Sequence, residues 1–176
     1  MTDRIREVTL VRRARHGAAT AAALALLLAG CGADPAPVPT ARATRNGVTV
    51  TVALLPAADG AHRIRATFRP EPGFHVYSID LPEGGVDGLG VATRLSVGGD
   101  LTATGEPTAD RAVVLLRPAG LEAALPVYPD GEVTFTLPVR RTGSRGADVI
   151  VSYGACGASR CLVPVTDERI PLPGPG

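Results

Sequence analysis

The chain has 176 residues and a formal net charge of +1 at pH 7, and all 18 of its basic residues are arginines. After the first thirty residues they form no basic patch, so nucleic-acid binding is not expected. Six residues are aromatic and none is tryptophan, so the core has to be built mainly from aliphatic side chains. The length suits one domain with additional terminal segments.

Residues 1–30 have the pattern of an export signal. Arginines cluster between Arg4 and Arg15, and the apolar run that follows, residues 18–28, is too short to span a bilayer. The run ends in Leu28-Ala29-Gly30-Cys31, which resembles the lipobox of bacterial lipoproteins. This resemblance implies cleavage before Cys31, lipid attachment to Cys31, and a location at the cell membrane facing the extracytoplasmic side. An ordinary secretory signal with an unrelated cysteine is the alternative.

Composition divides the rest of the chain into three parts. Residues 31–45 are rich in proline and alanine, which predicts a semi-extended tether between the lipid and a folded domain. Residues 46–172 are predicted to form that domain, and residues 173–176 a flexible tail. No second apolar run approaches twenty residues, so no transmembrane helix is expected after the signal.

The domain shows the period-two alternation of strands that bury one face, as in Val48, Val50 and Val52. Clusters of glycine, proline and aspartate separate the segments and predict turns. Only residues 121–125 look helical. Eight or nine short strands predict an all-β antiparallel sandwich. The predicted strands are residues 48–53, 63–69, 74–81, 91–97, 101–104, 112–116, 132–139, 148–153 and 161–170.

Two cysteines remain besides Cys31. Cys156 and Cys161 lie between two apolar strands, at a strand–turn–strand corner that can bring their Cβ atoms within disulfide range. A disulfide closing a loop of about six residues stabilises a fold by roughly 2 kcal/mol, against roughly 4 for a loop of about fifty. The position is therefore a poor staple, and an exposed turn suits thiol exchange. Arg160 favours the Cys161 thiolate if its charge points that way. A local structural disulfide is the alternative.

Two segments resemble one family. Tyr153-Gly154-Ala155-Cys156 through Cys161-Leu162-Val163-Pro164 is similar to the active-site hairpin of the N-terminal periplasmic domain of the thiol:disulfide interchange protein DsbD family. Residues 72–78, with Gly73, Phe74, His75 and Tyr77, are similar to a strand of the same domain. The order of the two motifs also fits, and the resemblance covers most of the chain after the tether.

The resemblance implies an immunoglobulin-like β-sandwich without a cofactor, in which Cys156 and Cys161 cycle between dithiol and disulfide as a thiol–disulfide oxidoreductase. It makes Cys161 the site of the mixed disulfide with a partner. Beside this, His75 is expected to be a half-buried strand histidine held by a hydrogen bond, or else a supporting base or orienting group near the cysteines. Tyr77 and Tyr153 are supporting residues, expected in the core or wall and not in catalysis. The implied partners are a membrane-embedded thiol carrier and thioredoxin-like proteins on the donor side, and oxidised envelope proteins as acceptors.

The chain departs from the family in two respects. Full-length members carry a membrane domain and a thioredoxin-like domain, which are absent from this sequence, so these partners have to act in trans. An aromatic cap loop over the cysteines is also not recognisable between Asp100 and Pro129, where Tyr128 is the sole aromatic residue.

Two other functions remain open at the level of sequence. One is a non-catalytic envelope binding module with a structural disulfide. The other is Cu(I) handling by the two thiolates with His75 as a third ligand. No further metal site is expected, and no hydrolase motif is present.

Overall fold

The computed structural model describes residues 38–120 and 122–174. In these residues there are thirteen strands, all paired antiparallel, and one 3-10 turn at Ala58–Gly60. No helix in this part of the chain has the length and apolar character needed to cross a membrane. The strands are β1 Thr40–Arg45, β2 Val48–Pro56, β3 His62–Pro70, β4 Phe74–Val76, β5 Arg94–Gly99, β6 Leu101–Ala103, β7 Thr108–Ala109, β8 Val114–Leu116, β9 Leu125–Val127, β10 Val133–Arg141, β11 Ala147–Tyr153, β12 Ala155–Gly157 and β13 Val165–Leu172.

The larger sheet has the strand order β1-β2-β3-β10-β6, with β7 also paired to β10. The alternation of apolar and polar side chains sets the register of this sheet, because residues two apart share one face of a strand. Val50 of β2 lies opposite Phe68 of β3, and Phe68 lies opposite Val133 of β10. All three side chains are buried, so this row belongs to the core face of the sheet.

The second sheet has the order β13-β11-β5 and covers the buried face of the first. Aromatic rings join the two layers. Phe68 of the larger sheet packs edge-on against Tyr153 of β11 in the second sheet, at 5.4 Å between ring centroids. Within its own sheet it packs in the same way against Phe135 of β10 at 5.1 Å. Such edge-to-face pairs add about 0.5–1.5 kcal/mol each to the burial of their surface. The architecture is the predicted immunoglobulin-like β-sandwich.

Two small strand pairs, β12-β4 and β8-β9, complete the fold. A single residue, Gly154, separates β12 from β11, so the chain leaves the second sheet and pairs at once with β4. All nine predicted segments contain a strand, and four strands, β1, β7, β9 and β12, lie outside them. Of these, β7, β9 and β12 have only two or three residues, too few for an alternation pattern to be visible.

Two details of the prediction need correction. Strand β1 lies inside residues 31–45, which composition predicts to be tether, and it pairs with β2 along its whole length. Its inward side chains are only Ala41 and Ala43, so the sequence shows no strong alternation there. The predicted helical segment 121–125 is also wrong where it can be judged: residues 122–124 have no regular structure and Leu125 begins β9. Pro126 disfavours helical backbone at the residue before it.

Candidate functional site

The two cysteines lie at the base of a tight hairpin. Strand β12 runs antiparallel to β4 with Cys156 opposite His75, and after a short turn Cys161 pairs back onto Cys156. The Gly157 N–H donates to the Arg160 carbonyl at 2.8 Å, which closes the turn. The Leu162 N–H donates to the Ala155 carbonyl at 2.8 Å. The cysteines form a disulfide, and the predicted hairpin is confirmed.

The two sulfur-bearing residues differ sharply in exposure. Cys156 is 0% exposed, whereas Cys161 is exposed to solvent. Cys156 packs in a small apolar cluster that is separate from the main core. Its other buried members are Tyr77, Leu81, Ala92, Ala123, Leu125 and Val127. The disulfide therefore joins one cysteine that is open to solvent with one that is enclosed.

Tyr77 is the predicted site residue that contacts the disulfide directly. Its hydroxyl donates to Cys156 Sγ at 2.9 Å and lies 3.7 Å from Cys161 Sγ. Burial raises the pKa of Tyr77 above its ordinary value, so the hydroxyl keeps its proton well beyond neutral pH. Tyr77 thus directs a hydrogen-bond donor at the buried sulfur from within the apolar cluster.

His75 lies beside the disulfide hairpin but is bonded elsewhere. It is opposite Cys156 in the β4-β12 register, and its side chain is 19% exposed. Nδ1 lies 3.1 Å from the Tyr128 carbonyl oxygen, and Nε2 lies 3.5 Å from Asp130 Oδ1. Both ring nitrogens therefore face Tyr128 and Asp130. Among the described residues, no group of three or more histidine, cysteine or acidic side chains is placed to hold a metal ion.

Tyr153 lies in the main core, away from the small cluster around Cys156. Its ring packs on Phe68 and its hydroxyl donates to the Arg45 carbonyl at 3.2 Å. Burial raises the pKa of Tyr153 to about 12; the negative charge of Glu168 adds to the rise and the guanidinium of Arg45 opposes it. Tyr153 therefore links β11, on which it lies, to Arg45 at the end of β1.

Two other neighbours of the hairpin have defined positions. The guanidinium of Arg160 lies over the Phe74 ring, 5.0 Å from its centroid, a cation–π arrangement. The connection between β8 and β9 touches the disulfide turn, because the Ala119 N–H donates to the Ala158 carbonyl at 3.0 Å. Ala123 from the same connection packs in the Cys156 cluster.

Sequence reasoning missed this second neighbour because small apolar residues carry no chemical signal. The sequence shows no aromatic cap between residues 100 and 129. In the structure, the connection between β8 and β9, which has no aromatic residue, nevertheless lies against the turn that holds the two cysteines. Gly157 was missed in the same way: a Cβ there would lie 2.7 Å from the Gly73 carbonyl oxygen, so β12 approaches the chain before β4 more closely than a larger residue allows. Cys31, the predicted lipid attachment residue, and the predicted signal lie outside the described residues.

The fold and the site define a class of protein: an immunoglobulin-like β-sandwich with a short-range disulfide that has one buried and one exposed cysteine. No protein-family model matches the chain, and no curated protein matches it in sequence.

The solved structures similar to this chain include two periplasmic or N-terminal domains. One is the N-terminal periplasmic domain of ScsB from Proteus mirabilis, with a TM-score of 0.55 and 17% identity, covering 79% of this chain and 54% of that one. The chain thus spans about half of that structure. The other is the reduced N-terminal domain of DsbD from Neisseria meningitidis, with a TM-score of 0.45 and 15% identity, covering 79% and 86%. At 17% identity the likeness to the ScsB domain shows a shared fold, and the predicted fold is confirmed.

Proposed function

We propose that this protein carries out thiol–disulfide exchange through Cys156 and Cys161 on the extracytoplasmic side of a membrane. The observation that carries the proposal is the asymmetry of the disulfide: Cys161 is exposed, while Cys156 is buried against the Tyr77 hydroxyl. A disulfide that only braces a fold has no need for a sulfur open to a partner. The short hairpin also contributes little as a staple, roughly 2 kcal/mol for a loop of about six residues.

The exchange proceeds in two balanced steps. A partner thiolate attacks Cys161 Sγ, a mixed disulfide forms, and the Cys156–Cys161 bond breaks with its electron pair left on Cys156. The second thiol of the partner then attacks the partner sulfur that is bonded to Cys161 in the mixed disulfide. This releases Cys161 and leaves the partner oxidised by two electrons. The resulting dithiol reduces an acceptor disulfide by the same steps in reverse.

The partners in this proposal follow from the chemistry and from the fold. Electrons arrive from a membrane-embedded thiol carrier and thioredoxin-like proteins acting in trans, and leave to oxidised envelope proteins. The ScsB domain with this fold is periplasmic, which supports an extracytoplasmic location here. Lipid on Cys31 would hold the domain at the cell membrane, with the proline-rich segment as its tether.

The test is reversible reduction of the folded protein. The full chain with Cys31→Ser is equilibrated with dithiothreitol or glutathione, free thiols are alkylated and counted by mass, and the fold is followed by circular dichroism. We expect two thiols to appear and disappear reversibly with the β-sheet signal unchanged. If the disulfide is reduced only when the chain unfolds, the pair is structural and the binding-module function replaces this proposal.

Single-cysteine variants test which sulfur is open to a partner. Both are made in the Cys31→Ser chain. In Cys156→Ser, the remaining Cys161 is expected to react with an aromatic disulfide reagent at least about tenfold faster than the remaining Cys156 of Cys161→Ser, because burial restricts access. The two variants are matched controls for each other. Equal rates would contradict the assignment of Cys161 as the attacked sulfur.

A further inference from the structure

The ring of Tyr77 packs closely against the backbone at two glycines, Gly154 and Gly90. A Cβ on Gly154 would lie 2.9 Å from both Cδ2 and Cε2 of the ring. A Cβ on Gly90 would lie 3.0 Å from Leu81 Cδ2 and 3.1 and 3.2 Å from Cζ and Cε1 of the Tyr77 ring. The Gly154 contacts are shorter than real Cβ contacts, so the ring would have to shift, and those at Gly90 would require it to give by a few tenths of an ångström. The missing side chains at these two glycines therefore leave the space that the ring occupies.

The backbone of Tyr77 is held just as firmly. Its N–H donates to the Gly154 carbonyl at 3.1 Å, and its carbonyl accepts a hydrogen bond of 2.6 Å from the buried Thr93 hydroxyl. Gly154 is held in turn, because its N–H donates to the Val91 carbonyl at 3.1 Å. Because the backbone and the ring of Tyr77 are both held, the position of its hydroxyl oxygen is set, 2.9 Å from Cys156 Sγ.

This placement matters because Cys156 is the leaving sulfur of the exchange. When a thiolate attacks Cys161, negative charge develops on Cys156 Sγ among apolar side chains, where a charged group is disfavoured. A preorganised donor aimed at developing charge lowers the barrier most in such surroundings. In the described part of the chain, the Tyr77 hydroxyl is the hydrogen-bond donor to Cys156 Sγ.

We infer that the Tyr77 hydroxyl stabilises the Cys156 thiolate as it leaves, and that Gly90 and Gly154 are positioning residues that hold the Tyr77 ring in place. This inference rests on the proposed function. In the step itself, the attacking electron pair forms the bond to Cys161, the pair of the broken bond stays on Cys156, and the hydroxyl donates a hydrogen bond to it. No proton is transferred from Tyr77.

Two side chains next to the hairpin, Arg160 and His75, face other groups. Arg160 lies over Phe74, and the His75 ring faces the Tyr128 carbonyl and Asp130. The raised pKa of Tyr77 keeps it a donor across the pH range in which thiols exchange. The Tyr77 hydroxyl is thus the group positioned to stabilise the negative charge on Cys156 Sγ.

The first experiment removes the hydroxyl alone. Tyr77→Phe in the Cys31→Ser chain is expected to slow reduction by glutathione about tenfold, the loss expected for one hydrogen bond to a charged group. The Cys156 thiolate, followed by its ultraviolet absorbance in a Cys161→Ser background, should titrate about one pH unit higher. A purely structural role of the hydroxyl would not move this titration. Tyr153→Phe is the matched control, because it removes a buried hydroxyl bonded to Arg45 instead.

The second experiment moves the ring and keeps the hydroxyl. Gly154→Ala is compared with Gly98→Ala, whose Cβ would meet only Ile150 at 3.8 Å. Gly90→Ala is compared with Gly131→Ala, since both backbones have positive φ (90° and 94°) but nothing lies near a Cβ at Gly131. We expect Gly154→Ala and Gly90→Ala to slow glutathione reduction several-fold and the controls to stay within about twofold. In a Tyr77→Phe background the effect of Gly154→Ala should largely disappear, as expected for coupled residues.

The outcomes separate this inference from the proposed function. If the parent Cys31→Ser chain is reduced reversibly while Tyr77→Phe shows the same rate and the same thiolate titration, the role of Tyr77 is wrong and the exchange function stands. If the parent chain is not reduced in its folded state, the proposed function fails. If the alanine variants do not fold, the Tyr77→Phe measurements still decide whether the hydroxyl acts on Cys156.

Discussion

The side-chain amide of Asn46 donates a hydrogen bond of 3.0 Å to the carbonyl oxygen of Val163, 117 residues later in the chain. Asn46 and Gly47 form the two-residue turn between β1 and β2, and both have the left-handed backbone that such hairpins need (φ 46° and 74°). Val163 lies two residues after Cys161. The first hairpin of the domain therefore holds the arm through which the chain leaves the disulfide.

Replacing Asn46 tests this brace. Asn46→Gly removes the amide but tolerates the left-handed backbone, so the free energy of unfolding should change by less than about 1 kcal/mol. The Leu162 N–H, which bonds to Ala155 in the same arm, should exchange with solvent several-fold faster. Native-state hydrogen exchange by NMR measures both quantities. Asn46→Ala should cost about 1–2 kcal/mol more, because a Cβ disfavours this backbone. Unchanged exchange at Leu162 would show that the brace is not needed.

Tyr153 predicts a loss of stability at high pH. The pKa of Tyr153 is about 12 in the folded protein, chiefly because of burial, and about 10 for an unfolded chain. The stabilising contribution is thus fully present below pH 10 and is lost as the pH rises to about 12, since the unfolded chain releases its proton first. Urea unfolding at pH 9 and pH 11 should show a smaller loss for Tyr153→Phe than for the wild type. Equal losses would contradict burial of the neutral phenol.

Arg160 predicts a salt-dependent rate. Its positive charge stands next to Cys161 in the chain and should attract anionic thiolates to the exposed sulfur. Arg160→Met keeps much of the contact with Phe74 but removes the charge, so glutathione should reduce the disulfide about two- to threefold more slowly at low salt. The difference should vanish at about 0.5 M salt because the charge is then screened. Arg145→Met removes a charge paired with Asp100 and serves as control; an equal effect there would mean that only net charge matters.

Much of the sandwich was predictable because its long strands show their burial in the sequence. Val48, Val50 and Val52, which alternate with more polar residues in the sequence, form the buried face of β2. The strands around residues 64, 135 and 149 show the same alternation of buried and less buried side chains. Strand β1 was hidden because Ala41 and Ala43 contribute little apolar surface. The connection between β8 and β9 was hidden because its contact with the disulfide turn runs through the backbone of Ala119 and Ala158, which any sequence provides.

The sequence by itself determined the Cys156–Cys161 hairpin, since two cysteines five residues apart on either side of a turn have no long loop to close. It also determined that the strands bury one face, because alternation is local. Only the tertiary structure decided which cysteine is buried and which side chain meets it. Tyr77 and Cys156 are 79 residues apart, and their contact depends on the pairing of β4 with β12 and on the space left by Gly90 and Gly154. Neither condition is visible in a local pattern, because each is set by how distant backbone segments pack.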